Sequence, residues 1–80
     1  MRLPRDLDGD ALVKALRICG YKLTRQTGSH MRLTTSVNGE HYVTVPKHSP
    51  LRVGTLSGIL SDVAAHLGET RDELAARIFR

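Results

Sequence analysis

Apolar positions along the chain recur first with a helical period, then with period two, then with a helical period again. Leu12, Leu16 and Cys19 share one stripe with Ala15, while Lys14 and Arg17 fall off it. Asp8 stands just before this stripe with an oxygen able to accept from the first free N–H groups, and Gly20 tolerates the turn that ends a helix. These residues predict a helix over about Gly9 to Cys19. Tyr21 to Gln26 alternates as a strand, with Leu23 inward and Lys22, Thr24 and Gln26 on the opposite face. Thr27 to Ser29 forms the turn, because Gly28 adopts positive φ without steric cost and Ser29 can hydrogen-bond its own turn. From His30 to Val37 the alternation resumes: Met31, Leu33 and Val37 point one way, and His30, Arg32, Thr34 and Ser36 the other.

Asn38-Gly39 signals a hairpin, and parity sets the loop, since Val43 and Val45 are the core residues of the next strand. A two-residue turn would point both valines outward. A three-residue loop, Asn38 to Glu40, places Val43 opposite Thr35 and Val45 opposite Leu33, and extrapolated it sets His48 across from His30. Pro46 cannot donate to a ladder and ends the pairing nearby. The loop Lys47 to Gly54 leads to Thr55 as N-cap of a second helix with the stripe Leu56, Ile59, Leu60, Val63 and Leu67, stopped by Gly68. Thr70-Arg71-Asp72-Glu73 is a capping box opening a last helix that carries Leu74 and Ile78, with Phe79 close by.

The predicted architecture is α+β: helix, three antiparallel strands, helix, and an additional C-terminal helix. One sheet face is covered by helices and the other is open and polar, with Lys22, Thr24, Gln26, His30, Arg32, Thr34, Tyr42 and Thr44 on it. His41 shares the parity of Val43 and caps the core edge, and His66 near a helix end suits the negative end of the dipole. Both read as structural.

Eighty residues suffice for one domain, 1–80, with a thin core. Residues 1–52 hold nine basic and four acidic side chains, net +5, whereas residues 53–80 hold three and four, net −1. The basic excess favours an anionic partner, for which RNA or DNA is the commonest class. No apolar run approaches the roughly 18 residues that span a bilayer, and Met1 to Asp10 lacks the apolar block of a signal peptide, so the expected location is the cytoplasm. Cys19 is the only cysteine, which excludes a disulfide framework and a thiolate zinc cluster.

The four histidines do not make a close ligand cluster, and no metal or other cofactor is expected. Ser29 beside His30 lacks the frame of a nucleophile elbow, and strand neighbours point to opposite faces, so the two are expected to be unpaired. A Walker loop is absent. Metal-free RNA cleavage asks for less: a base for the ribose 2′-hydroxyl, cations for the charged phosphorane and an acid for the leaving oxygen. His30, presented by a tight turn and of a type that titrates near neutral pH, is the natural base. Arg25, Arg32 and Lys47 are candidates for the phosphate, and His48 is a possible acid if it stands opposite His30.

Leu3-Pro4, the helix ending in Gly20-Tyr21, Arg25-Gln26-Thr27-Gly28-Ser29-His30, Val45-Pro46-x-His48 and Gly54-Thr55-Leu56-x-x-Ile59-Leu60 occur in an order that resembles the HicA (YcfA-like) toxin family over about residues 3–64. The resemblance implies a double-stranded-RNA-binding-domain-like fold and an mRNA interferase, the toxin of a type II toxin–antitoxin system. It further implies a HicB-type antitoxin as protein partner, single-stranded mRNA as substrate, and neither metal nor membrane. His30 then matches the catalytic histidine, Gly28 and Ser29 the turn that presents it, and His48 a recurring position. Lys22, Arg25, Gly28, Ser29, Arg32 and Lys47 are the expected RNA contacts. Thr27 departs from the lysine frequent there, and residues 65–80 form a C-terminal helical extension. The competing expectation is a non-catalytic RNA-binding module on the same fold.

Overall fold

The computed structural model describes residues 3–79. Its elements run α1 (Gly9–Leu16), a 3₁₀ turn (Arg17–Cys19), β1 (Lys22–Thr27), β2 (His30–Thr35), β3 (His41–Pro46), α2 (Val53–Leu67) and α3 (Arg71–Ile78). The strands form one antiparallel sheet in the order β1-β2-β3. With helices packed on a single sheet face, this is the α-β-β-β-α arrangement of double-stranded-RNA-binding-domain-like folds, extended by α3.

Local chemistry accounts for the boundaries. The Asp8 carboxylate accepts the Ala11 N–H at 2.7 Å and caps α1. Gly20 closes the following turn at φ +88°, and Gly68 ends α2 at φ +72°. At Thr70 both halves of the capping box are made. Thr55, in contrast, does not cap α2: the helix begins two residues earlier, at Val53, after an extended Arg52 with no side-chain cap. Gly9 has a different task. A Cβ there would lie 2.3 Å from the Pro46 carbonyl oxygen, so only glycine lets the start of α1 lie against the end of β3, where its N–H donates to the His48 carbonyl at 3.0 Å.

The core lies between the sheet and the helices. Leu12, Val13, Leu16 and Cys19 from the first helical segment meet Met31, Leu33, Val43 and Val45 from the sheet. Leu56, Ile59, Leu60 and Val63 of α2, and Leu74 and Ile78 of α3, belong to the same cluster. Tyr21, just before β1, is fully buried. Leu23 pairs with buried Leu33 and so shares the helix-side face as expected, but the residues of β1 are all exposed, Leu23 included at 40%, so it does not join the core. The helices pack mainly over β3 and leave β1 largely uncovered, so the buried sheet positions are on β2 and β3.

Two registers differ from the simple alternation. Thr35 pairs with His41 and Leu33 with Val43, so the loop between β2 and β3 has five residues, Ser36 to Glu40, and the pairing is shifted by two from the expected register. Parity survives and both valines point inward. The longer loop follows from contacts remote in sequence. His66 Nε2 donates to the carbonyls of Val37 and Gly39 at 2.9 and 3.0 Å, and Asn38 donates to the His66 carbonyl at 2.8 Å. Val37 is therefore drawn out of the strand and is 49% exposed, not on the core face, and Thr35 takes the last inward position, its hydroxyl accepting the Val37 N–H. His41 joins this clasp by stacking on His66 at 4.4 Å. Its two ring nitrogens bond the Tyr21 hydroxyl at 2.8 Å and Asp62 at 3.2 Å. Both histidines thus hold the loop to α2.

The second irregularity is in β1. Leu23 pairs with Leu33, but the next pair is Arg25 with Arg32, leaving Thr24 as the extra residue of a bulge. Every later position of β1 therefore changes face: Gln26 pairs with inward Met31, and Arg25 and Thr27 join the open face beside Arg32 and His30. Gln26 is accordingly removed from the open-face set. No helix among the described residues is long and apolar enough to cross a membrane.

Candidate nucleic-acid interface

The open sheet face is built by the hairpin β1–β2 and its neighbour β3. Thr27 pairs with His30 across a two-residue turn in which Gly28 has φ +46° and open space where a Cβ would stand. Glycine is required here for the dihedral angle alone, and the turn surface stays bare. His30 follows at the strand's first position with an exposed ring. Ser29 belongs to the turn and not to a strand, and its hydroxyl reaches His30 Nδ1 at 3.3 Å, which corrects the expectation that the two side chains are unpaired. When Nδ1 donates to that hydroxyl, Nε2 keeps its lone pair for a substrate proton.

A depression of about 180 Å³ opens beside this ring, lined by Arg25, Thr27, His30, Arg32 and Thr44. The bulge at Thr24 creates it, because it turns Arg25 to the side of Arg32 and His30. Two guanidinium groups and one imidazole thereby share a shallow, solvent-open site, where an oxyanion meets planar donors and a proton acceptor. Further along the face, the Thr24 and Thr34 hydroxyls bond each other at 2.8 Å, and the Arg32 guanidinium lies over the Tyr42 ring, 4.6 Å from its centroid. Lys22 pairs with Thr34 on the same face.

His30 stands opposite Pro46, so the expected juxtaposition with His48 is corrected by the same two-residue shift that lengthens the β2–β3 loop. His48 is exposed, lies outside the depression, and gives its carbonyl to the start of α1. Lys47 is also outside the lining. Its N–H donates to the Ser29 carbonyl at 2.7 Å, which ties the segment after β3 to the turn that presents His30. Among the described residues no group of His, Cys, Asp and Glu is placed to hold a metal ion.

Regular alternation left Arg25, a phosphate candidate, and Thr27 off the open face, and gave no sign of the Arg32–Tyr42 contact. One signal was present: strict period two puts Arg25 on the inward face with Tyr21 and Leu23, and a charged side chain at an inward position calls for a bulge. No curated protein and no solved structure shows significant similarity to the chain. The profile describing the HicA toxin of bacterial toxin–antitoxin systems matches residues 9–64, from the first residue of α1 into α2, and so spans the whole sheet and the His30 turn. With this match over more than half of its length, the chain belongs to the HicA toxin family.

Proposed function

We propose that the protein is a metal-independent endoribonuclease that cleaves mRNA as a toxin and is neutralised by a HicB-type antitoxin. The observation that carries this reading is the grouping of His30 with Arg25 and Arg32 in one depression on the open polar face of a HicA-family fold. In the reaction, His30 Nε2 takes the proton of a ribose 2′-hydroxyl, and that oxygen attacks the adjacent phosphorus. The bond to the 5′-oxygen breaks, its oxygen takes up a proton, and a cyclic phosphate remains on the upstream fragment. Arg25 and Arg32 stabilise the negative charge that grows on the phosphorane oxygens.

Lys22 on the open face, and Lys47, tied by its backbone to the turn before His30, add positive charge for the RNA backbone, and the bare turn Gly28-Ser29 lets that backbone approach closely. His48 is not needed for the proton balance. The Ser29 hydroxyl lies within reach of Nδ1 and, when it accepts from Nδ1–H, leaves Nε2 as the basic nitrogen. Expression of the chain without its antitoxin in a bacterial host tests the proposal: growth should arrest with the wild type and continue with His30→Ala, both accumulating as folded protein. Equal arrest by the two would remove His30 from the mechanism.

A further inference from the structure

Tyr42 is 57% exposed on the open face, where the surrounding side chains are polar or charged. The exposed ring is not idle, since Arg32 lies over it at 4.6 Å, and the same arginine lines the depression beside His30. Arg32 and Tyr42 are diagonal neighbours, as Arg32 pairs with Thr44 and Thr34 with Tyr42. A planar cation stacked on an aromatic ring, open to solvent and continuous with a phosphate-sized anion site, matches the chemistry that takes an unstacked nucleobase. Duplex RNA keeps its bases stacked on one another and offers none to such a ring.

We propose that Tyr42 and Arg32 form a base-stacking subsite for single-stranded RNA, separate from the scissile linkage. The proposal rests on the reading of the open face as an RNA site. Tyr42 is four strand positions from Pro46, the partner of His30, a span of about 13 Å at roughly 3.3 Å per residue. The stacked base therefore belongs to a nucleotide further along the strand than the one cleaved, and the subsite selects unpaired RNA and fixes its course toward His30.

The chain has no tryptophan and two tyrosines, and Tyr21 is fully buried, so quenching of tyrosine emission by RNA reports on Tyr42. The experiment titrates a short fluorescently labelled single-stranded 2′-O-methyl oligonucleotide, which has no free 2′-hydroxyl to attack, and its abasic counterpart with wild type, Tyr42→Phe and Tyr42→Leu, reading affinity from the label's anisotropy in all three and tyrosine quenching in the wild type alone. The expected result is quenching in the wild type, unchanged affinity for Tyr42→Phe, and an affinity lower by about five- to a hundredfold for Tyr42→Leu. That loss should persist as salt is raised and vanish with the abasic ligand, unlike the loss of a phosphate contact. Equal binding by wild type and Tyr42→Leu, or the same loss with the abasic ligand, overturns the subsite while leaving RNA binding intact. No binding by any form, with cleavage of unmodified RNA also absent, overturns the RNA reading itself and the subsite with it.

Discussion

Replacing Arg25 and Gln26 one at a time separates the bulged strand from a regular one. In regular alternation from Leu23, Gln26 faces the open side and Arg25 the helices; with Thr24 as the extra residue, Arg25 pairs with Arg32 on the open face and lines the depression beside His30. Two unit charges about 4 Å apart attract by roughly 1 kcal/mol in bulk water and several times more where solvent is displaced. Arg25 is exposed, so the lower part of this range applies, and Arg25→Ala should slow RNA cleavage by about five- to fiftyfold at low salt. Loss of one phosphate contact should also flatten the dependence of log affinity on log salt by about 0.7 for a single strand. Gln26→Ala should stay within about twofold of wild type, as its side chain points to the other face. The assay is the initial rate on end-labelled single-stranded RNA across a salt series, with affinity measured on an uncleavable analogue. Equal losses in both variants, or a loss confined to Gln26→Ala, would refute the bulged register as the source of the cationic site.

Burial, reinforced by the negative charge of Asp62, pushes the Tyr21 hydroxyl up to about 12. The folded state therefore disfavours the phenolate, and this stability is complete below the unfolded value near 10 and is lost as pH rises through about 12, in all roughly 3 kcal/mol. Tyr21→Phe forfeits the bond to His41, about 1 kcal/mol at neutral pH, but escapes the alkaline loss, so urea-unfolding curves should rank the wild type above it at pH 7 and below it beyond about pH 11. Parallel curves would show that Tyr21 does not titrate as described. Gly9→Ala should lower stability although alanine favours helix, because its Cβ would meet the Pro46 carbonyl at 2.3 Å; a raised melting temperature would contradict the close approach.

The helices were legible because their signals are local. Asp8 and the Thr70–Glu73 box sit within one turn of the N–H groups they satisfy, and the stripe through Leu56, Ile59, Leu60 and Val63 needs no partner to be seen. Strand parity was legible too: Met31, Leu33, Val43 and Val45 all point inward. What escaped depends on contacts distant in sequence. The β2–β3 loop is set by His66 holding the carbonyls of Val37 and Gly39, 27 or more positions away, and with that loop goes the partner of His30. The bulge likewise escaped, because a residue added at Thr24 changes the face of everything after it while leaving composition untouched. The Gly28-Ser29 turn and the open-face positions of His30 and Arg32 could be read from sequence, whereas regular alternation put Arg25 on the wrong face.

The most direct test of the central claim is scission of end-labelled single-stranded RNA by purified wild type and His30→Ala in excess chelator. The account predicts cleavage by the wild type alone, leaving cyclic-phosphate ends, with both proteins retaining RNA. Retention without scission by either would make the open face a binding surface only, and equal scission by both would place the chemistry elsewhere than His30.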